Sequence, residues 1–164
     1  MLKKLFVISL GLIFILNCGG PDKEPSGYWE SANALTAAEN YAGAIDQYNK
    51  IVNFYPSDTL AAAALFRMCE IKRSKQNKYQ EAIQLYKQYI EKYPENGNTP
   101  NAMFMIGYIY ANDIQNYTKA KAAYNNFIES YPNHELVASA KWEVEHMGKD
   151  IHNVVQNDNI PESN

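Results

Sequence analysis

Glycine and cysteine are both scarce here, at eight and two residues in 164. So little glycine leaves no loop of the kind that cradles phosphates and suits a helical body with polar connections. If Cys18 is consumed by modification, Cys69 is alone and no intramolecular disulfide can form. The longest apolar run, residues 5–16, is broken by Ser9 and Gly11 and is too short to span a bilayer comfortably. There is no basic block, and the net charge of −3 argues against nucleic acid as a partner. A Ser-His-Asp pattern is also missing. His134-Glu135 begins like a zinc-protease motif, but Ala138 stands where the second histidine belongs. His134 therefore reads as a polar residue in a first helical turn. Glu143, Glu145 and His146 sit too close together on a helix to converge on a metal. No acid, base or nucleophile is assembled, so the expectation is a non-enzyme without metal or cofactor.

What is present is a repeat. Residues 41–56, 79–94 and 117–132 read YAGAIDQYNKIVNFYP, YQEAIQLYKQYIEKYP and YTKAKAAYNNFIESYP, 38 residues apart. A fixed period of this size means stacked supersecondary units. In the middle copy Tyr79, Ala82, Ile83, Tyr86, Ile90 and Tyr93 share one face at 3.6-residue spacing. Proline after the last turn ends each copy. Between the copies lie helices expected over 28–39, 59–76, 101–113 and 134–149. Ser57 or Asp58, Thr99 (with Pro100 in the first helical position) and Asn133 are the candidate N-caps. Lys141, Glu143, Glu145 and Lys149 give the last helix a polar side that suits a terminal cap. Residues 152–164 are polar and aperiodic and are expected to fray. Cys69 falls where a small residue allows close helix approach and reads as a buried, inert thiol. Lys72, Arg73 and Lys75 read as a solvated face or as a contact for an acidic partner.

These features resemble the tetratricopeptide repeat. The second helix of that family carries an aromatic, a small residue, an aromatic and a final proline. Tyr41, Ala44, Tyr48 and Pro56 fill those places, as do Tyr79, Ala82, Tyr86 and Pro94, and Tyr117, Ala120, Tyr124 and Pro132. In the first helix Ile106, Gly107 and Tyr110 match, whereas Met68, Cys69 and Lys72 depart at two places. A period of 38 rather than 34 implies a slightly longer turn inside the later repeats. The resemblance implies an all-α, right-handed superhelical stack: helix pairs over 27–56, 57–94 and 98–132, and a cap over 134–149. The Tyr-Pro endings look most like a subgroup found in bacterial envelope proteins of the β-barrel assembly and Tol–Pal type.

The resemblance also implies a concave groove, lined by the first helix of each pair, that binds protein segments. Trp29, Phe66, Phe104 and Trp142 hold equivalent places in that register, and Asn33, Glu70, Tyr108 and His146 hold the next one. Either the aromatics line the groove or they fill gaps between helices. If they line it, removing Phe66 and Phe104 abolishes partner capture and leaves melting nearly unchanged.

The N-terminus reads separately. Lys3 and Lys4 precede the apolar run, and Cys18 follows it in the sequence ILNCGG. This has the proportions of an export signal and resembles the bacterial lipobox, with Asn17 where Gly, Ala or Ser is usual. On that resemblance residues 1–17 are removed and Cys18 is lipidated; the Gly and Pro content of GGPDKEPS, including Pro25, argues against a helix and makes 18–26 a flexible tether. An ordinary secretory signal or an uncleaved anchor is the other reading. Several acyl chains on one cysteine give stable membrane attachment without a span. The resemblance to lipoproteins of enteric bacteria implies that Gly19, rather than Asp, after the cysteine directs the chain to the outer membrane, facing the periplasm. The whole is expected to be a membrane-tethered scaffold for protein segments in an envelope complex. The alternative is a structural or cell-wall lipoprotein acting through self-assembly or glycan contact.

Overall fold

The computed structural model describes residues 20–149; residues 1–17, Cys18 and the tail from 150 onward lie outside them. The described residues form an all-α stack of tetratricopeptide type, seven helices in three antiparallel pairs and a last helix. They are α1 (Pro25–Ala37), α2 (Tyr41–Phe54), α3 (Thr59–Ser74), α4 (Tyr79–Lys92), α5 (Thr99–Tyr108), α6 (Tyr117–Ser130) and α7 (Val137–His146). A π-helical turn, Ile109–Asp113, continues α5. Each helix packs on the next in sequence, as short connections require.

The repeating second helix supplies the core. Tyr48, Tyr86 and Tyr124 are all buried, as are Ala44, Ala82 and Ala120. Opposite them each first helix places a small buried residue: Ala32, Cys69 and Gly107. At Gly107 the approach is closest. A Cβ there would come within 2.6 Å of the Tyr124 ring. Cys69 is buried, donates to the Leu65 carbonyl at 3.2 Å, and has its thiol pKa pushed far up by burial. It is therefore inert, as expected.

Each pair is joined by one left-handed residue. Glu39, Asn77 and Gln115 have φ of 58°, 53° and 58°, a conformation that closes a helix end and exposes the last carbonyls to following amides. Asn40 and Asn116 then cap α2 and α6, accepting from the amides of Gly43 and Lys119. From Trp29 to Glu39 is one residue shorter than from Phe66 to Asn77 or from Phe104 to Gln115. The later repeats take up the extra residue as widened turns. Gln76 N–H reaches back five residues to the Ile71 carbonyl, and Ile114 to Ile109. One residue of the longer period is thus taken up as a wider last turn in the first helix.

The links between pairs also repeat. Asp58, Asn96 and His134 lie 38 residues apart, and each donates its amide to the carbonyl of Tyr55, Tyr93 or Tyr131. Each then accepts, through its side chain, from the amide two residues on: Leu60 at 2.8 Å, Asn98 at 3.0 Å and Leu136 at 3.2 Å. Asp58 caps as expected. The other two links correct the sequence reading, because Asn96 and His134 do this work rather than Thr99 and Asn133. The turns consume residues through Leu136, so α7 begins at Val137 and not at His134. It ends by His146, where Met147 turns extended and Gly148 follows with φ of 77°.

The start of the chain brings another correction. Residues 18–26 read as a free tether, yet Pro25 occupies the first turn of α1, where its missing N–H costs nothing. Tyr28 donates to the Asp22 carboxylate, which holds that carboxyl below its ordinary pKa, and the Asp22 amide donates to the same hydroxyl at 2.9 Å. The Tyr55 hydroxyl donates to the Lys23 carbonyl at 2.7 Å. The segment is fastened to the stack from Asp22 onward.

Two outcomes follow from this packing. Gly107→Ala should lower stability by about 1–3 kcal/mol, because the buried Tyr124 ring has nowhere to go; an unchanged melting temperature would contradict the contact. Burial also raises the pKa of Tyr86 and Tyr124 from the ordinary 10.0, and that of Tyr89 to about 12. The folded state holds these protons more tightly than the unfolded chain, so the stabilisation is complete below pH 10 and is lost as pH rises through the elevated values. Helicity and tyrosinate absorbance should therefore change together above pH 10. Titration of all tyrosines near 10 with helicity intact would show that the rings are not sealed.

Candidate partner-binding trough

Two clefts run side by side along the first helices. One, of about 430 Å³, lies between α1 and α3 and includes Asn33, Thr36, Tyr48, Arg67, Glu70 and Lys75. The other, of about 570 Å³, lies between α3 and α5 and includes Phe66, Glu70, Arg73, Tyr86, Asn101 and Phe104. Leu136, just before α7, closes its far end. Glu70 and Ser74 belong to both clefts, so the two adjoin along α3, and together they are called the trough. On α3, Phe66, Glu70, Arg73 and Ser74 follow the four-then-three spacing of one helix face.

The expected aromatic row divides. Trp29 meets Tyr48 edge-on at 5.4 Å; Phe66 meets Tyr86 at 5.6 Å and Tyr89 at 5.4 Å; Phe104 meets Tyr124 at 5.2 Å and Phe127 at 5.8 Å. All three are half-buried. They fill the space between the helices of a pair, and Phe66 and Phe104 also show a side to the trough. Trp142 differs: it is 50% exposed and lies stacked on His146 at 4.7 Å. Among the described residues no helix follows α7 to cover it. Edge-on aromatic pairs contribute about 0.5–1.5 kcal/mol beyond area. Removing Phe66 and Phe104 together therefore loosens the stack, and the sequence-based expectation of unchanged melting is corrected.

The polar row divides likewise. Asn33 accepts from the Tyr48 hydroxyl at 2.7 Å at one end of the trough. Glu70 pairs with Arg67 at 3.0 Å at its middle. Tyr108 is covered by the Arg73 guanidinium, 4.5 Å from its ring centre. His146 Nδ1 lies 2.8 Å from the Trp142 carbonyl, away from both clefts. The structure thus brings Phe66, Glu70 and Phe104 together and leaves Trp29, Tyr108, Trp142 and His146 outside the cleft walls.

The basic cluster is not one solvated face, because two of its three members are paired within the stack. Lys72 and Arg73 diverge by a helical step. Lys72 pairs with Glu81 of α4 at 2.7 Å, and Arg73 with Asp113 at 2.7 Å. Asp113 is in the π turn, so the widened turn reaches back to the preceding repeat. Only Lys75 stays exposed, at the trough. Arg67 and Asn101 were not picked out from sequence, and Arg73 was picked out only as a member of the basic cluster, not as a neighbour of Glu70 in the cleft. Among the described residues no group of three or more His, Cys, Asp or Glu side chains could hold a metal ion. None of the described helices is long and apolar enough to cross a membrane.

Residues 63–96 and 101–134 each match the family model of the tetratricopeptide repeat. Each match takes in most of a first helix, all of the second and the link beyond it. No curated protein matches the chain. Both stretches are similar to that repeat, and repeats of this kind serve as scaffolds for protein–protein interaction.

The partly buried Arg73–Asp113 pair ties the second repeat to the third. Arg73→Ala and Asp113→Ala should each cost about 1–3 kcal/mol, and the double variant clearly less than their sum. Simple additivity in denaturant melts would show that the pair does not couple the repeats.

Proposed function

We propose that the chain is a membrane-tethered scaffold in a bacterial envelope complex, gripping a segment of a partner protein in the trough along α1, α3 and α5. The observation that carries this reading is that two clefts adjoin at Glu70 and Ser74. Adjoining clefts lined by ring edges and by charges of both signs suit a chain segment better than a small molecule. The tether rests on Cys18 behind an export-type leader, and the outer-membrane assignment on Gly19. The fastening of Asp22 and Lys23 to α1 and α2 would then leave only a few residues between lipid and stack. A second reading, self-assembly or glycan contact through the end of the stack, draws on the exposed Trp142–His146 platform.

Photo-crosslinking residues placed at Ser74 and Asn101 should capture the same protein in bacterial cells, and one at the exposed Gln80 should not. Capture from Gln80 alone, or of the chain by itself, would sink the trough assignment. Separately, Cys18→Ala should move the chain from the membrane to the soluble fraction. Retention there would refute the tether and leave the trough standing.

A further inference from the structure

A second concavity lies on the other side of α5. A step of 100° per residue puts Asn101, Phe104 and Met105 on the trough side and Met103, Ile106 and Tyr110 opposite. These last three form the floor of a slot of about 390 Å³ whose walls are α4 and α6. Ile90 adds to one wall. Each wall also carries one lysine, Lys87 on α4 and Lys119 on α6. Lys119 lies 5.6 Å over the Tyr110 ring. Among the described residues no carboxylate lies within ion-pair reach of either lysine, and none lines the slot. The trough mixes Glu70 with Arg67, Arg73 and Lys75, whereas the slot is apolar below and purely cationic at its rims.

We propose that this slot is a second docking surface, for an acidic amphipathic helix of a partner protein, which would make the chain a two-sided adaptor. Three features select that occupant. The floor is a stripe at i, i+3 and i+7, about 10 Å long, which matches the ridge of one partner helix of the same period. The two ammonium groups stand on opposite walls, so a helix with a carboxylate on each flank engages both. A ligand with a single charge, such as a fatty acid, engages only one. The absence of any slot carboxylate disfavours a basic or mixed-charge segment. The surface shares no residue with the trough, so the proposal does not depend on what the trough holds.

The test uses the full chain and a stapled helical peptide with Leu at i, i+3 and i+7 and Glu on both flanks. Binding followed by fluorescence anisotropy should weaken with added salt. It should weaken roughly tenfold or more in Lys87→Glu/Lys119→Glu, because two attractions become repulsions. Both lysines are exposed, so the variant should keep its melting temperature, which circular dichroism checks. The same peptide with Lys in place of Glu should bind the variant better than the parent chain. An Asn101→Ala change in the trough should leave all of this unaltered. Equal binding of a scrambled peptide, or unchanged affinity in the double variant, would overturn the proposal. So would self-association of the chain that the same two substitutions abolish, because a second copy would then be the occupant.

Discussion

Everything in the stack depends on a large ring meeting a residue with almost no side chain. Tyr124 lies so close to Gly107 that one added carbon would overlap the ring. Ala32 and Cys69 hold the corresponding buried places in the earlier pairs. That contact sets how near the two helices of a pair can come. A close pair leaves its outer faces for the neighbouring pairs, and a stack is the result.

The same contact decides what is left for function. With the middle tyrosine sealed inside, the first helices offer their remaining faces to the spaces between pairs. Phe66 and Phe104 are shared between these roles, with edges in the core and sides on the trough. The extra residue in each later first helix could have rotated everything after it by a helical step. The widened turns absorb it, so Asn77 and Gln115 still close the helices in the left-handed conformation at the proper place. The π turn after α5 also carries Asp113 to Arg73, and the pair joins consecutive repeats.

Much of this was legible in the order of residues. Tyr, Ala, Tyr and Pro at constant spacing marked the second helices, and their ends were read to within a residue or so, because proline cannot continue a helix. The first helices and links were harder. Asp58 is an obvious cap; His134 is not, since imidazole is seldom assigned that task, and only its place 38 residues beyond Asn96 gives it away. Pro25 suggested a loop by composition, yet the first turn of a helix tolerates it. Lys72 and Arg73 looked like one charged patch, although adjacent helical positions point to different neighbours.

The sequence by itself determined the number of helix pairs, their period and the residues buried within each. Those are consequences of local periodicity and of the small set of residues that fit a tight helical contact. The tertiary structure decided which surfaces remain. Whether an aromatic fills a gap or faces a cleft depends on the helix packed over it, which is present for Trp29, Phe66 and Phe104 and not described for Trp142. Whether a lysine is paired or stands alone on a rim depends on which carboxylate the neighbouring helix brings within a few ångströms. Contacts between repeats are set by distances in space that the spacing along the chain does not encode.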